Sequence, residues 1–279
     1  MKTFTCEIYQ IIFGGLRKIS VRCSQVKRDF GKKSIRISFI LGRKINMFDA
    51  KENLQIIEKF KGLRVTDVRD GMDWMGYHFY GTVSHEIKPL YRTSAIGIAR
   101  TARYVPFEGP VPRVTGDEYT KWSNWYYSEV CTDPWGKDII PGDFMCLDIA
   151  GIDVGLLGSN NTLGCKKKGC VGFMTNGGGI RDTDECIIQE IPVWSKFISQ
   201  PMDQARIRYL EKDIPVAIGG VAIYPGDLIV ADGDGVIAVP RKLVDDVAKY
   251  AWQEASADKI GRKKLYLDLG MKLDETVDV

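Results

Sequence analysis

Apolar positions recur along the chain with two periods, and the switches between them mark the elements. FDAKENLQIIEKF (48–60) sets Leu54, Ile57 and Phe60 at helical spacing, which predicts an amphipathic helix. LRVTDVRDGMDWMG (63–76) reads as a short helix opened at Thr66 or Asp67 and ended at Gly76. SAIGIARTARYV (94–105) alternates and reads as a strand. Residues 106–135 carry four prolines together with Trp122, Trp125, Tyr126, Tyr127 and Trp135, without a clear period. That stretch reads as an excursion packed on the surface or at a subunit contact.

Two later segments use one device. PGDFMCLDIAG (141–151) and PGDLIVADGDG (225–235) share Pro-Gly-Asp, a mostly apolar stretch and a further Asp. Pro then Gly suits a type II turn, since Pro fixes its φ and Gly accepts a positive one. Each turn should launch a buried strand, so the two are expected in one sheet or as a pseudo-repeat. GCVGFMT (169–175), IPVW (191–194), IPVAIGGVAIY (214–224) and GVIAVP (235–240) supply further strands or a hairpin. Helices are expected after Gly158, over RDTDECIIQE (181–190) and from Lys242 to Lys259, where Leu243, Val247 and Ala251 share a face. Strands alternating with helices predict an α/β sheet.

The 279 residues are 44% hydrophobic and 27% charged, enough to build a core and too ordinary for disorder. No apolar run reaches the roughly 20 residues of a membrane helix. The net charge of +3 conceals an asymmetry: residues 1–46 hold 11 Lys and Arg against 2 acids, while the remainder carries an acidic excess. The body therefore lacks the basic surface expected for binding nucleic acid. Residues 1–46 read as a targeting leader, a basic arm or an upstream extension, and the domain is expected over 47–279, from Met47. Seven cysteines, odd in number and without a CxxC pair, favour free buried thiols in a reducing, cytoplasmic setting.

The sharpest candidate for chemistry is GCVGFMTNGGGIRDTDE (169–185). Consecutive glycines, Gly178 among them, let backbone amides approach an anion. Arg181 offers a planar fork for a carboxylate, and Asp182 could hold a divalent cation directly or through water. Against this, Asp182 with Glu185 also has the spacing of a helix capping box. Upstream, Gly158 followed by Ser159, Asn160 and Asn161 should open a helix whose first amides either bind an anion or are capped locally. Lys166, Lys167 and Lys168 read as a solvated run at that helix's end, and Asp232 with Asp234 as a tight acidic turn. His78 and His85 form no triad or HExxH.

On these motifs, from GDFMCLDIAG through GSNNTLG and NGGGIRDTDE to PGDLIVADGDGVIAVPR, the chain resembles the RraA-like family. That family holds class II pyruvate aldolases acting on 4-hydroxy-4-methyl-2-oxoglutarate or 4-carboxy-4-hydroxy-2-oxoadipate, and regulators of ribonuclease E. The resemblance spans about residues 60–255 and implies a swivelling β/β/α domain, assembled as a trimer or hexamer with sites between subunits. It implies that Arg181 binds the carboxylate of a 2-oxo acid and that Asp182 anchors Mg²⁺ or Mn²⁺ through water. Amides at Ser159, Asn160 and Asn161 would hold the pyruvyl unit, and Glu254 is the candidate for an acid given by a neighbouring subunit. Aldolase members usually carry a carboxylate about twenty residues upstream of the Arg-Asp pair; here that slot is Asn160, beside Ser159, and neither is acidic, so Asn160 can hydrogen-bond a metal-bound water but cannot serve as its base. A metal-dependent lyase releasing pyruvate or decarboxylating oxaloacetate is therefore expected. The alternative is a non-catalytic binding protein of the ribonuclease-regulator type. A methyltransferase would need a glycine-rich adenosine-binding turn after a first strand, and none is present.

Overall fold

The structure is a computed structural model that describes residues 3–12, 15–24 and 48–278. The chain divides into two units, Met1–Ile45 and Asn46–Val279. In the first, β1 (Thr3–Ile12) and β2 (Gly15–Ser24) pair antiparallel, with Thr3 opposite Ser24 and Ile12 opposite Gly15. The rest of the basic segment, and with it the expected leader, arm or extension, lies outside the described residues. So do the side chains of Cys6 and Cys23.

The second unit opens with helices α1 (Ala50–Glu58) and α2 (Val65–Trp74), then strands β3 (Lys88–Pro89) and β4 (Ala95–Pro106). Helix α3 (Gly116–Glu129) precedes β5 (Asp143–Asp148), α4 (Ser159–Lys167), β6 (Gly172–Thr175), α5 (Thr183–Ile188) and β7 (Val193–Ser195). Strands β8 (Ile207–Lys212), β9 (Val216–Ile218), β10 (Val221–Ile223), β11 (Leu228–Asp232) and β12 (Gly235–Val239) lead to the long helix α6 (Val244–Asp268).

The Pro-Gly-Asp pair organises the main sheet. Gly142 and Gly226 sit at φ +91° and +93°, the left-handed value that the turn requires at this position. In each turn the Asp N–H donates back to the first residue, Asp143 to Ile140 and Asp227 to Tyr224, both at 3.1 Å. Each Asp side chain also accepts that first residue's N–H at 2.9 Å. The two turns deliver their strands to opposite edges of β4, β5 parallel and β11 antiparallel, so the expectation of one sheet holds.

The sheet runs β12-β11-β4-β5-β6-β7-β3, with β8 paired to the far half of β4. It almost closes on itself, because Val83 N–H donates to Val236 and Ala238 N–H to Gly81, tying the segment before β3 to β12. Alternation along the strands sorts the side chains. Ala99, Phe144, Cys146, Met174, Trp194 and Ile229 point inward and pack on the β9–β10 hairpin, which plugs the barrel. Ile98, Leu228 and Val230 face outward beneath α1, α2 and α6. Met145, Leu147 and Phe173 face outward toward α3, α4 and α5. This is the mixed α/β, barrel-like architecture expected of a swivelling β/β/α domain.

Four sequence expectations need correction. Residues 106–135, expected as an excursion without clear period packed on the surface, instead contain helix α3 and enter a 3-10 turn at Pro134–Lys137, with Tyr126 and Trp135 buried. Helix α1 buries Asn53 and Ile56, and Phe60 just beyond its end is buried as expected, whereas Leu54 is 46% exposed. Its buried amide is satisfied: Arg241 Nη1 donates to Asn53 Oδ1 at 2.9 Å. Helix α2 starts at Val65, before Thr66, because Asp67 accepts the Arg64 N–H and Asp232 accepts the Val65 N–H. Helix α6 runs past Lys259 to Asp268. Among the described residues no helix is long and apolar enough to cross a membrane.

Candidate active site at the Arg181–Asp182 turn

After β6 the chain turns through Asn176–Gly179 into Ile180, which is bridged in parallel by Leu157 on one side and Ile198 on the other. Leu157 N–H donates to Gly179 at 2.6 Å, Arg181 N–H to Leu157 at 2.9 Å, and Ser199 N–H to Ile180 at 2.9 Å. Three short segments thus lie side by side, and Arg181 and Asp182 emerge from the central one.

Asp182 adopts a left-handed conformation at φ +55°, a region where Asp and Asn are enriched among non-glycine residues. It is the residue that opens α5, yet its carboxylate makes no capping bond to that helix. Oδ1 instead accepts from Arg181 Nε at 3.1 Å, and Oδ2 from the Ser159 N–H at 3.3 Å. The capping-box alternative is thereby removed. The carboxylate faces the start of α4, where the helix dipole favours negative charge.

Glycines make this approach possible. A Cβ on Gly155 would stand 2.6 Å from Arg181 Cδ, and one on Gly158 2.6 Å from Asp182 Oδ2. At the start of α4 the Gly158 N–H is taken by Asn161 Oδ1 at 2.7 Å and the Ser159 N–H by Asp182. Among the described residues this leaves the amides of Asn160 and Asn161 as donors without an acceptor. The amide cradle expected of the triple glycine is not offered by Gly178 or Gly179, whose N–H groups donate to Ile152 and Val154. Their lack of side chains serves packing: a Cβ on Gly178 would run into Ser199 Oγ, which is buried and finds no hydrogen-bond partner among the described residues.

Arg181 and Asp182 remain reachable, their side chains 30% and 36% exposed. Only Nε of the guanidinium is engaged, so its two terminal nitrogens form an open fork among the described residues. Asn160 is exposed and lines a shallow hollow with Leu163, Lys166 and Lys167. Lys166 is not idle: its Nζ donates to Gln189 O at 2.7 Å and Glu190 O at 3.1 Å, clamping the end of α5. Beneath α4 and α5, burial holds the Cys186 thiol above its ordinary range, so it stays protonated at neutral pH.

Within one chain Glu254 lies elsewhere, on the α2–α6 face, where its Oε1 accepts from Trp74 Nε1 at 2.9 Å. Asp232 caps α2 and its own turn, and His78 sits 3.3 Å from Asp73, so both read as structural. The five described cysteines are free and buried. Sequence reasoning did not single out Gly155 or the 196–206 segment. A Gly spaced three residues from Gly158 was the available signal for the first.

The donor chemistry suits a hydrated hard cation. Asp182 is one exposed carboxylate, and Mg²⁺ commonly keeps several waters while bound by one or two carboxylates. No cluster of three or more His, Cys, Asp or Glu able to cage a metal occurs among the described residues.

The chain matches known proteins in sequence and in fold. A protein of Halalkalibacterium halodurans named "Putative 4-hydroxy-4-methyl-2-oxoglutarate aldolase" is 24% identical over 221 residues, 78% of this chain and 92% of that protein. The 4-hydroxy-4-methyl-2-oxoglutarate aldolase of Thermus thermophilus is 31% identical over 102 residues, 36% of this chain and 60% of that protein. Among solved structures, Streptomyces coelicolor RraAS2, described as an unusual member of the RNase ES inhibitor RraA protein family, shares the fold. It superposes with a TM-score of 0.59 at 22% identity, covering 75% of this chain and 96% of that one. An uncharacterized protein from Pseudomonas syringae gives a TM-score of 0.60 at 22% identity over 80% of this chain and 96% of that one. The Aldolase/RraA family model matches residues 65–238, which takes in the whole Arg181–Asp182 turn, and the chain belongs to the RraA-like family.

Proposed function

We propose that the chain is a carbon–carbon lyase acting on a 2-oxo acid, by retro-aldol release of pyruvate from a 4-hydroxy-4-methyl-2-oxoglutarate-like substrate or by decarboxylation of oxaloacetate. The observation that carries this reading is the open fork of Arg181 beside a carboxylate that does not cap the helix it opens, α5. The two terminal guanidinium nitrogens match a carboxylate bidentately, which fixes the substrate's C1 end. The amides of Asn160 and Asn161, at the positive end of α4, favour a second anionic oxygen. Arg181 also holds Asp182 in place through Nε, so one side chain orients both partners.

In retro-aldol cleavage the bond between C3 and C4 breaks, its electron pair forms the enolate of pyruvate with charge on the C2 oxygen, the C4 hydroxyl passes its proton to water as it becomes a carbonyl, and water returns a proton to C3 to give pyruvate. Asp182 would hold Mg²⁺ or Mn²⁺ through water, and such a cation, when bound, supplies Lewis acidity at the keto and carboxylate oxygens. Arg181 and the α4 amides stabilise negative charge at the same end. Assembly as a trimer or hexamer, with Glu254 lent to a neighbour's site, belongs to the same proposal. A cytoplasmic setting does too, supported by the five free thiols.

One observation favours a second reading: Ser159 and Asn160 put no carboxylate upstream of the pair, which fits a binding protein that has lost its base. Pyruvate release from 4-hydroxy-4-methyl-2-oxoglutarate and from oxaloacetate, with and without Mg²⁺, separates the two. Metal-dependent release from either compound supports the lyase. No release from both, with the protein folded, supports the binding protein.

A further inference from the structure

The strap of chain behind the site is anchored from an unexpected direction. Residues 198–201 press against the Arg181 turn: Ser199 N–H donates to Ile180 O at 2.9 Å, and Pro201 O accepts the N–H of Gly155, over which Arg181 lies, at 2.8 Å. Two residues further on, Asp203 is 8% exposed and spends both carboxylate oxygens on α3 and the residues just after it. Tyr127 OH donates to Oδ1 at 2.7 Å and Cys131 Sγ to Oδ2 at 3.2 Å. The Asp203 backbone oxygen accepts Tyr126 OH at 2.7 Å, and Gln204 Nε2 donates to Ser123 Oγ at 2.7 Å.

Among the described residues no cation pairs with Asp203; a buried carboxylate held by two neutral donors is an expensive arrangement for packing alone. The bonds it makes are specific in direction. They tie the α3 layer to the segment that hydrogen-bonds Gly155 and Ile180 through Pro201 and Ser199. Burial holds the Cys131 thiol well above its usual range, so the sulfur keeps the proton it donates.

We propose that Asp203 is a positioning residue for Arg181, fixing from α3 the strap against which the carboxylate-binding fork is aimed. The proposal rests on the lyase reading for its kinetic readout and on the structure alone for its second. Loosening the strap lets Gly155 retreat and Arg181 follow it, which weakens substrate binding before it alters the bond-breaking step.

The test compares wild type with Tyr127→Phe, Cys131→Ser and Asp203→Asn, reading oxaloacetate turnover and amide hydrogen exchange. Tyr127→Phe removes one hydroxyl from a partly exposed residue and preserves the ring. It should raise KM about tenfold with kcat within about twofold, the split expected when only the aim of a binding group is lost. Exchange at Gly155 and Ser199 should quicken by a similar factor, while α2 and α6 stay unchanged. Cys131→Ser keeps a donor toward Oδ2 and should stay close to wild type in both readouts. Asp203→Asn should resemble Tyr127→Phe or exceed it. A folded Tyr127→Phe protein with unchanged KM and unchanged exchange at Gly155 would overturn the proposal, as would exchange that quickens uniformly over both helical layers. Should wild type release no pyruvate, the lyase reading alone fails, and exchange at Gly155 still decides the role of Asp203.

Discussion

Arg181 lies across Gly155 so closely that a Cβ on residue 155 would stand 2.6 Å from Arg181 Cδ and 2.9 Å from its Cβ. The pair explains how a partly exposed arginine keeps one aim: the backbone of the neighbouring segment is its floor, and the Asp182 carboxylate is its stop.

Gly155→Ala should therefore displace the guanidinium without emptying a core. KM for a 2-oxo acid is expected to rise about tenfold or more, since misplacing a binding group by an ångström can cost that and beyond. The thermal midpoint should fall by no more than about 4 °C, the effect of roughly 1 kcal/mol. Steady-state kinetics beside a melting curve checks both. An unchanged KM in the folded variant would mean that Gly155 is not the floor.

Much of this arrangement was legible in the residues. Pro-Gly-Asp at 141 and 225 announced two turns because the physics is local: a fixed φ, a positive φ and a short carboxylate that bonds back. The site turn was legible for the same reason. Helix α3 was not. Ser123 and Tyr126 are its buried residues, and Tyr119, Trp122, Tyr126 and Val130 do recur at helical spacing. Trp125, 47% exposed, and Tyr127, 37% exposed, mask that stripe with equally apolar neighbours. In α1 the pattern pointed to Leu54, while the buried position is Asn53, whose partner Arg241 lies far along the chain. The use of Asp182 toward α4, not α5, depends on a contact across 23 residues that spacing cannot express.

Asn53 yields a prediction contrary to simple hydrophobicity. Arg241 reaches Asn53 through Nη1, at 2.9 Å, and Glu52 through Nη2, at 2.8 Å, pinning α1 to the second Pro-Gly-Asp turn. Asn53→Leu leaves a half-buried guanidinium short of an acceptor and should cost about 2 kcal/mol. Leu54→Ala, on an exposed position, should cost less than about 1 kcal/mol. Urea unfolding ranks the two, and the reverse order would contradict the assignment of the helix face.

Asp227 links stability to pH. Burial pushes its carboxyl from the ordinary 3.8 up to about 6, against the lowering effect of the Tyr224 and Arg241 N–H donors. Below the ordinary value both folded and unfolded chains hold the proton, and the native state keeps its full stability. As pH rises the unfolded chain ionises first, and stability is lost up to the native value, by about 3 kcal/mol for this group. Asp227→Asn should therefore gain on wild type between about pH 4 and about pH 7, by up to that amount. Unfolding in urea across that range measures the difference. A difference that stays constant with pH would show that Asp227 does not titrate upward.

The central claim is that Asp182, which leaves α5 uncapped and is aimed at the start of α4, completes a lyase site with Arg181. The most direct measurement is the rate of pyruvate release at saturating Mg²⁺ by wild type and by Asp182→Ala, with circular dichroism confirming that both are folded. The expected result is release by wild type, lowered at least about a hundredfold in the variant, the scale of losing a transition-state electrostatic contact. Equal rates in the two proteins would contradict the assignment of Asp182.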